Sequence, residues 1–358
     1  MSSKPKILVY APREEPPDIL QALEAKGYDL VIGDKQWQVP RTGDHYDAFV
    51  AAARESVALM GTSIRATPIT RRVMEASQRL RVIAKYTVGV DDVDTEAATE
   101  LGIMVCHAPT EDNCFAVAEN TMALMLAILK KVQVRDADIR AGHWRLPHHA
   151  GTFLGSRASD GYPGITIGIV GLGRVGTRFA QLLAPWRVRL IAYDPHVEPM
   201  RFLLTGVKSV DYETLLRESD VISYHVTLTK ETRYMCGPKE IGMMKKTAVV
   251  LNTARGKVVD EDALAIAIKE GRIQAAAIDA FVEEPPAPDS LLRGLGDKLL
   301  MSPHAVAFNG KGELREGVEW AARSVHTALS GKIPDNVYNK DVLMKWKERF
   351  GGVSVLPE

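Results

Sequence analysis

Apolar residues in this chain gather in short, often β-branched runs, separated by longer stretches whose apolar positions recur at helical spacing. Over the first hundred residues the pattern predicts strands at Lys6–Tyr10, Tyr28–Ile32, Val57–Met60, Arg81–Tyr86 and Ile103–Cys106. Helices are expected at Pro17–Lys26, Thr70–Ser77 and Thr95–Leu101. Such alternation is that of a parallel α/β sheet covered on both faces. A helical segment from Cys114 to about Val132 is apolar nearly all round, as in a helix buried in a core or an interface. From Gly142 the periodicity fails, and His143 to Pro163 reads as an irregular connection.

Alternation then resumes. Ile165 to Gly176 reads as strand, tight turn and helix start, and strands follow at Val188–Tyr193, near Val207, and at Val221–Val226, Thr247–Asn252, Gln274–Ala280 and Lys298–Met301. Helices Tyr212–Glu218, Pro238–Met244 and Asp262–Glu270 separate them. About seven strands result, enough for a doubly wound dinucleotide fold.

Within the turn, Gly171, Gly173 and Gly176 stand at G-x-G-x-x-G spacing. The first allows the turn, the second lets a pyrophosphate approach the backbone, and the third lets helix and strand pack closely. The N–H groups of the following helix then face the phosphates. Asp194, 18 positions past Gly176, is placed to accept from the adenosine ribose hydroxyls and to repel a 2′-phosphate, which favours NAD over NADP.

Composition narrows the setting. With 358 residues and 46% hydrophobic content, about two soluble globular domains are expected. Forty-five basic residues balance forty-five acidic ones without a block of like charge, so neither nucleic acid nor an anionic membrane has electrostatic support. A small-molecule partner is expected. Cys106, Cys114 and Cys236 lack C-x-x-C spacing, which predicts buried thiols in a reduced compartment and no zinc or disulfide framework. The amino terminus lacks the form of a signal peptide, and the most lipid-like stretch, Met122–Leu129, is short for a membrane span. A cytoplasmic location is expected. His143, His148 and His149 invite a metal reading, but no carboxylate or cysteine stands at ligand spacing, so solvated loop histidines and no metal are expected.

Ligands of open α/β sheets bind beyond the carboxyl ends of strands. Arg255, Glu284 and His304 follow three such ends. A histidine near a carboxylate is suited to give or take a proton, and an arginine to hold an anionic group. Structural roles stay open for each residue: Arg255 capping its strand or pairing with Asp260, His304 a satisfied histidine after Pro303, and Glu284 or Glu283 an ordinary loop acid.

The motifs VGVDDVD (Val88–Asp94), APTEDNCFAVAENTMALMLA (Ala108–Ala127), the glycine turn with Tyr193–Pro195, HVTLTKETR (His225–Arg233), LNTARGKVVDEDAL (Leu251–Leu264), AAIDAFVEEP (Ala276–Pro285) and SPHAVA (Ser302–Ala307) occur in order. Together they resemble the D-isomer-specific 2-hydroxyacid dehydrogenase family over nearly the whole chain. The resemblance implies an NAD-binding Rossmann-type doubly wound domain, residues 110–304, inserted into a smaller flavodoxin-like α/β substrate domain of residues 1–109 plus 305–358, with the active site in the cleft and a homodimer formed through the Cys114–Val132 helix region. His304 would be the acid/base paired with Glu284, chosen over Glu283 because the family's glutamate directly precedes proline. Arg255 would bind the substrate carboxylate. Leu172, Arg174 and Val175 would join the glycines on the pyrophosphate; His225, Val226, Thr227 and Thr232 would approach the adenosine half, and Asn252, Thr253, Ala254 and Asp279 the nicotinamide. Val88 and Gly89 would hold the substrate carboxylate through backbone N–H groups, with Arg65 at the rim.

Departures from the family pattern stand at Thr87, Asp92, His107 and Thr227, and any role for Trp144 near the cleft is open. Two alternatives share the scaffold: an NAD-sensing, non-enzymatic scaffold of the corepressor type, and a phosphite- or formate-type dehydrogenase. Glu284 disfavours formate, because formate dehydrogenases place glutamine beside the histidine. Glyoxylate, hydroxypyruvate, its phosphorylated form and larger keto acids all present the same carboxylate and carbonyl.

Overall fold

The computed structural model describes residues 4–13, 15–35, 44–62, 67–307 and 314–356. The chain divides into two compact units, Met1–Asn113 with Gly310–Glu358, and Cys114–Asn309. Along it run β1 (Lys6–Tyr10), α1 (Pro17–Ala25), β2 (Asp29–Ile32), α2 (Asp44–Ala53), β3 (Ser56–Gly61), α3 (Arg71–Ala76), β4 (Val82–Lys85), α4 (Thr95–Glu100) and β5 (Met104–Cys106). Next come α5 (Glu111–Leu129), α6 (Val132–Arg140), β6 (Thr166–Val170), α7 (Arg174–Leu183), β7 (Arg189–Tyr193), α8 (Pro199–Thr205), β8 (Lys208–Ser209), α9 (Tyr212–Glu218) and β9 (Val221–Tyr224). The chain continues through α10 (Pro238–Ile241), β10 (Val249–Asn252), α11 (Glu261–Lys269), β11 (Ala275–Ile278), β12 (Leu299–Met301), α12 (Arg315–Leu329) and α13 (Leu343–Phe350).

The first unit is a parallel sheet of order β2-β1-β3-β4-β5. Its strands are apolar at nearly every position because both faces are covered. Ile7 and Val9 of β1 share one core with Val318, Val325 and Trp346 from the carboxyl-terminal helices. Leu8 and Tyr10 face the opposite way, into a core with Phe49, Val73 and Ala97. Residues past 314 thus complete the unit that the amino terminus begins.

The second unit is a parallel seven-stranded sheet of order β12-β11-β10-β9-β6-β7-β8. Successive residues of β6 alternate between its two cores, Ile167 and Ile169 on one face and Val170 on the other. Strand order turns back at the boundary between β6 and β9, and such switch points are where dinucleotide folds bind ligand.

Several expectations need correction. The long helix ends at Leu129, and after Lys131, which has a left-handed φ of +57°, a separate helix α6 begins with no buried residue. The sequence pattern did not predict α2, α8, α12 or α13, and the strand near Val207 is only two residues long. With 19 residues, α5 is long and apolar enough by length and composition to cross a membrane, more than the Met122–Leu129 stretch suggested. Its Ala118, Met125, Ile128 and Leu129 nevertheless pack into the second unit's core, as in the central helix of a water-soluble fold. All three cysteines are buried, and burial pushes the Cys106 and Cys236 thiols up to about 12.

Candidate active site

The glycine turn is set by close backbone packing. Gly171 has a φ of +92°, and a Cβ there would lie 2.9 Å from Val226 Cγ1 and 3.0 Å from the His225 carbonyl. A Cβ on Gly176 would stand 2.1 Å from the Gly171 oxygen, so only glycine lets α7 begin this close to β6. Gly173 differs: nothing lies within 4 Å of its would-be Cβ. It is also the N-cap of α7, where the positive end of the helix dipole favours an anion.

Around this turn the strand ends collect the other candidate cofactor residues. The carboxylate of Asp194, after β7, accepts from Leu172 N–H at 2.8 Å and His196 N–H at 2.9 Å, which ties it to the glycine turn. His225 N–H donates to the Val170 carbonyl at 2.8 Å. The His225 ring meets Ser223 Oγ through Nε2 at 2.9 Å and packs against Phe179, and burial pushes its imidazole down to about 3. Thr232 donates to the Thr227 carbonyl at 2.6 Å, closing the loop after β9. Asn252, the last residue of β10, and Thr253 and Ala254 after it are buried; Thr253 Oγ1 lies 2.7 Å from Thr121 Oγ1 of α5. Arg174 is exposed and Val175 half-buried on the first turn of α7.

Three adjacent strands carry the candidate chemistry. Asn252, Ile278 and Met301 stand level on β10, β11 and β12, so Arg255, Asp279 and His304 leave the sheet at neighbouring points. Asp279 shapes the turn after β12: its carbonyl accepts from His304 N–H and its Oδ1 from Ala305 N–H, both at 2.9 Å. Its Oδ2 is buried with no partner among the described residues. A buried carboxylate oxygen normally has a donor, and the carboxamide of a nicotinamide would supply one. That vacancy and the open cradle at Gly173 fit a dinucleotide.

His304 sits in the left-handed region, φ +52°, an uncommon conformation for a non-glycine residue that the two Asp279 bonds hold in place. Its Nδ1 is 2.8 Å from Glu284 Oε1, and that oxygen also accepts from Phe281 N–H at 2.9 Å. Glu283 is exposed, so of the two loop acids only Glu284 meets the histidine. Arg255 is half-buried, donating to the Ala254 carbonyl at 2.7 Å while its own carbonyl accepts from Asn252 Nδ2 at 2.9 Å.

Glu261 was not singled out in the sequence. Its Oε1 accepts from Val282 N–H at 2.6 Å, and it thereby supports the loop that carries Glu284. Burial pushes its carboxyl up to about 6, the Val282 bond opposing and the charges of Asp262, Glu284 and Asp260 adding to the rise. The only signal in the sequence was its place beside Asp260, the N-cap of α11.

In the first unit, Val88 and Gly89 lie on the loop after β4, and three of the departures noted above make bonds that involve that loop. Thr87 Oγ1 donates to the Gly89 carbonyl at 2.8 Å, and His107 Nδ1 meets the Val88 carbonyl at 3.2 Å. Asp92 forms an ion pair with Lys85, both side chains almost fully buried. Arg65 lies outside the described residues.

The loop histidines also differ from expectation. Asp138, on α6, lies within hydrogen-bond distance of His143, His148 and His149. A carboxylate therefore does stand beside them, brought there by the turn that ends the helix rather than by proximity along the loop.

Residues 122–306 match the family profile described as D-isomer specific 2-hydroxyacid dehydrogenase, NAD binding domain. A glyoxylate reductase of Thermococcus litoralis is 36% identical over 347 residues, covering 95% of this chain and 98% of that protein. This chain belongs to the D-isomer-specific 2-hydroxyacid dehydrogenase family. NAD is its cofactor, and NAD-dependent dehydrogenase chemistry on 2-hydroxy acids is its class of activity. A D-3-phosphoglycerate dehydrogenase of Archaeoglobus fulgidus is 35% identical over 325 residues, 90% of this chain but 57% of that longer protein. Among solved structures, a glyoxylate reductase from Paecilomyes thermophila superposes with a TM-score of 0.77 at 26% identity, covering 92% of this chain and 96% of that one.

Proposed function

We propose that this protein transfers a hydride between NAD(H) and a small D-2-hydroxy acid or its 2-keto acid, with glyoxylate as the favoured keto acid. The observation that carries the reading is the 2.8 Å contact between His304 Nδ1 and Glu284 Oε1 on a turn built by buried Asp279. Bound NADH supplies the hydride. With Nδ1 engaged by Glu284, His304 keeps Nε2 to protonate the carbonyl oxygen as charge develops there; in the oxidative direction the neutral ring takes the hydroxyl proton. The Glu284 carboxylate fixes the ring's tautomer and orientation. Arg255 grips the substrate carboxylate with its planar fork. Asp279 would hold the nicotinamide carboxamide through Oδ2.

Glyoxylate is favoured because likeness to glyoxylate reductase extends over almost the whole of both chains, whereas the phosphoglycerate dehydrogenase match spans little more than half of that protein. The test follows NADH absorbance with glyoxylate, hydroxypyruvate and 3-phosphohydroxypyruvate, with NADPH in parallel. Glyoxylate is expected to give the highest kcat/KM, and His304→Ala to lower kcat by about 10²–10⁴-fold, the usual worth of a general acid, with NADH affinity nearly unchanged. Undiminished turnover by His304→Ala would overturn the assignment. Oxidation of formate or phosphite with NAD, and none of the keto acids reduced, would overturn the substrate class.

A further inference from the structure

The geometry points to a binding site for one borderline divalent transition cation, of the Zn²⁺ type, formed by Asp138, His148 and His149 in the second unit. One ligand atom from each lies within 4.8 Å of the others, and both histidine Nε2 atoms converge on the same oxygen, Asp138 Oδ2, at 2.6 Å and 2.8 Å. A four-coordinate ion with bonds of about 2.0–2.1 Å holds its ligands roughly 3.3 Å apart. Each histidine–carboxylate pair therefore has only to open by a fraction of an ångström to admit it.

The donor set selects the ion class. Two imidazoles with one carboxylate suit Zn²⁺, Co²⁺ or Ni²⁺, whereas Mg²⁺ and Ca²⁺ require mainly oxygen. The scaffold holds the donors without the metal. Arg135 of α6 donates from Nε (2.9 Å) and Nη2 (2.6 Å) to the His149 carbonyl, and His149 N–H closes a turn onto the Leu146 carbonyl at 3.0 Å. His143 Nδ1 sits 3.1 Å from the other carboxylate oxygen, Oδ1, where it steadies Asp138 from outside the cluster. Within the single chain Asp138 and His149 are mostly covered and His148 is exposed.

One contact opposes the ion. Leu146 N–H donates to His149 Nδ1 at 3.1 Å, so in this arrangement Nε2 carries the ring proton that meets Asp138. On binding, the proton of each neutral ring moves from Nε2 to Nδ1, the Nε2 lone pairs take the cation, and the Leu146 bond to His149 is given up. The remaining coordination position is left to water.

Untagged full-length protein, stripped with chelator, is titrated with Zn²⁺ alone by calorimetry at pH 7.5. One equivalent is expected to bind, at least tenfold more weakly in His148→Ala, His149→Ala and Asp138→Asn, and unchanged in His304→Ala, which separates this site from the histidine of the proposed catalytic pair. Lowering the pH to 5.5 should weaken binding as protons compete for the imidazoles. Visible bands of four-coordinate Co²⁺ in the wild-type protein give a second readout that needs no variant. Binding of less than one equivalent of Zn²⁺, uptake equal in all the variants, or a Co²⁺ spectrum of the hydrated ion would each overturn the site.

Discussion

His304 and Glu261 show how single side chains acquire properties that their position in the sequence does not announce. His304 is held in a left-handed conformation by bonds from Asp279 and faces Glu284; Glu261 stands behind the same loop, half-buried and charged only at a cost. Because burial raises the folded pKa of Glu261 to about 6, above its ordinary 4.5, the folded chain holds its proton more tightly than the unfolded chain. Its penalty is therefore absent below about pH 4.5 and grows as pH rises through 6. Glu261→Gln keeps an acceptor for Val282 N–H and carries no charge. Relative to wild type, this variant should gain of the order of 1 kcal/mol in stability between pH 4.5 and pH 7, after discounting for solvent screening at a half-exposed group. Melting temperatures of both proteins at the two pH values would show it; a difference that does not change with pH would remove Glu261 charge from the account.

The element that organises the chemistry is the set of three neighbouring strand ends, β10, β11 and β12, with the Phe281–Glu284 loop packed on the residue after Arg255. A Cβ on Gly256 would fall 1.9 Å from Phe281 C and 2.3 Å from Val282 N, both backbone atoms. Gly256→Ala must therefore push that loop away from β10, straining the Glu261–Val282 bond and displacing Glu284 from His304. The expected result is a loss of stability of about 1–3 kcal/mol, the usual range for overpacking, together with a fall in kcat larger than any change in NADH affinity. Urea unfolding and steady-state kinetics measure the two effects, and wild-type values in both would show that the loop has room the structure does not reveal. Strands such as β3 and β10 were legible because, buried on both faces, they read as unbroken apolar runs. The glycine turn was legible because its spacing is dictated by backbone contact. By contrast α6 buries nothing and so carries no amphipathic stripe, and α8 exposes Met200, Leu203 and Leu204 where a helix signature would hide them. Asp138 was missed because it joins its histidines across a helix end, and Glu261 because its significance lies in burial, which a sequence pattern does not report.

At the scale of the whole molecule, the carboxyl-terminal helices complete the first unit's core, and the residues proposed for the chemistry, Arg255, Glu284 and His304, belong to the second unit. That second unit leaves apolar side chains uncovered on one continuous stretch of sequence: Phe115, Val132, Ile139, Trp144 and Phe153, exposed from 36% to 70%. Single exposed apolar residues are ordinary, but several along one segment beside a helix without a buried face are suited to be covered by a partner chain. A second copy of this chain is the expected occupant, since symmetric pairing lets one patch cover its own equivalent. Light scattering coupled to size exclusion should give about twice the 39.3 kDa chain mass, and Ile139→Asp with Trp144→Asp should shift the species toward the single-chain mass, because burying two new carboxylates in an apolar contact is strongly disfavoured. If the wild-type protein elutes at the single-chain mass at micromolar concentration, these side chains are simply solvated. If both proteins pair equally well, the copies meet through another face, and α6 with its neighbouring loop stays open to solvent.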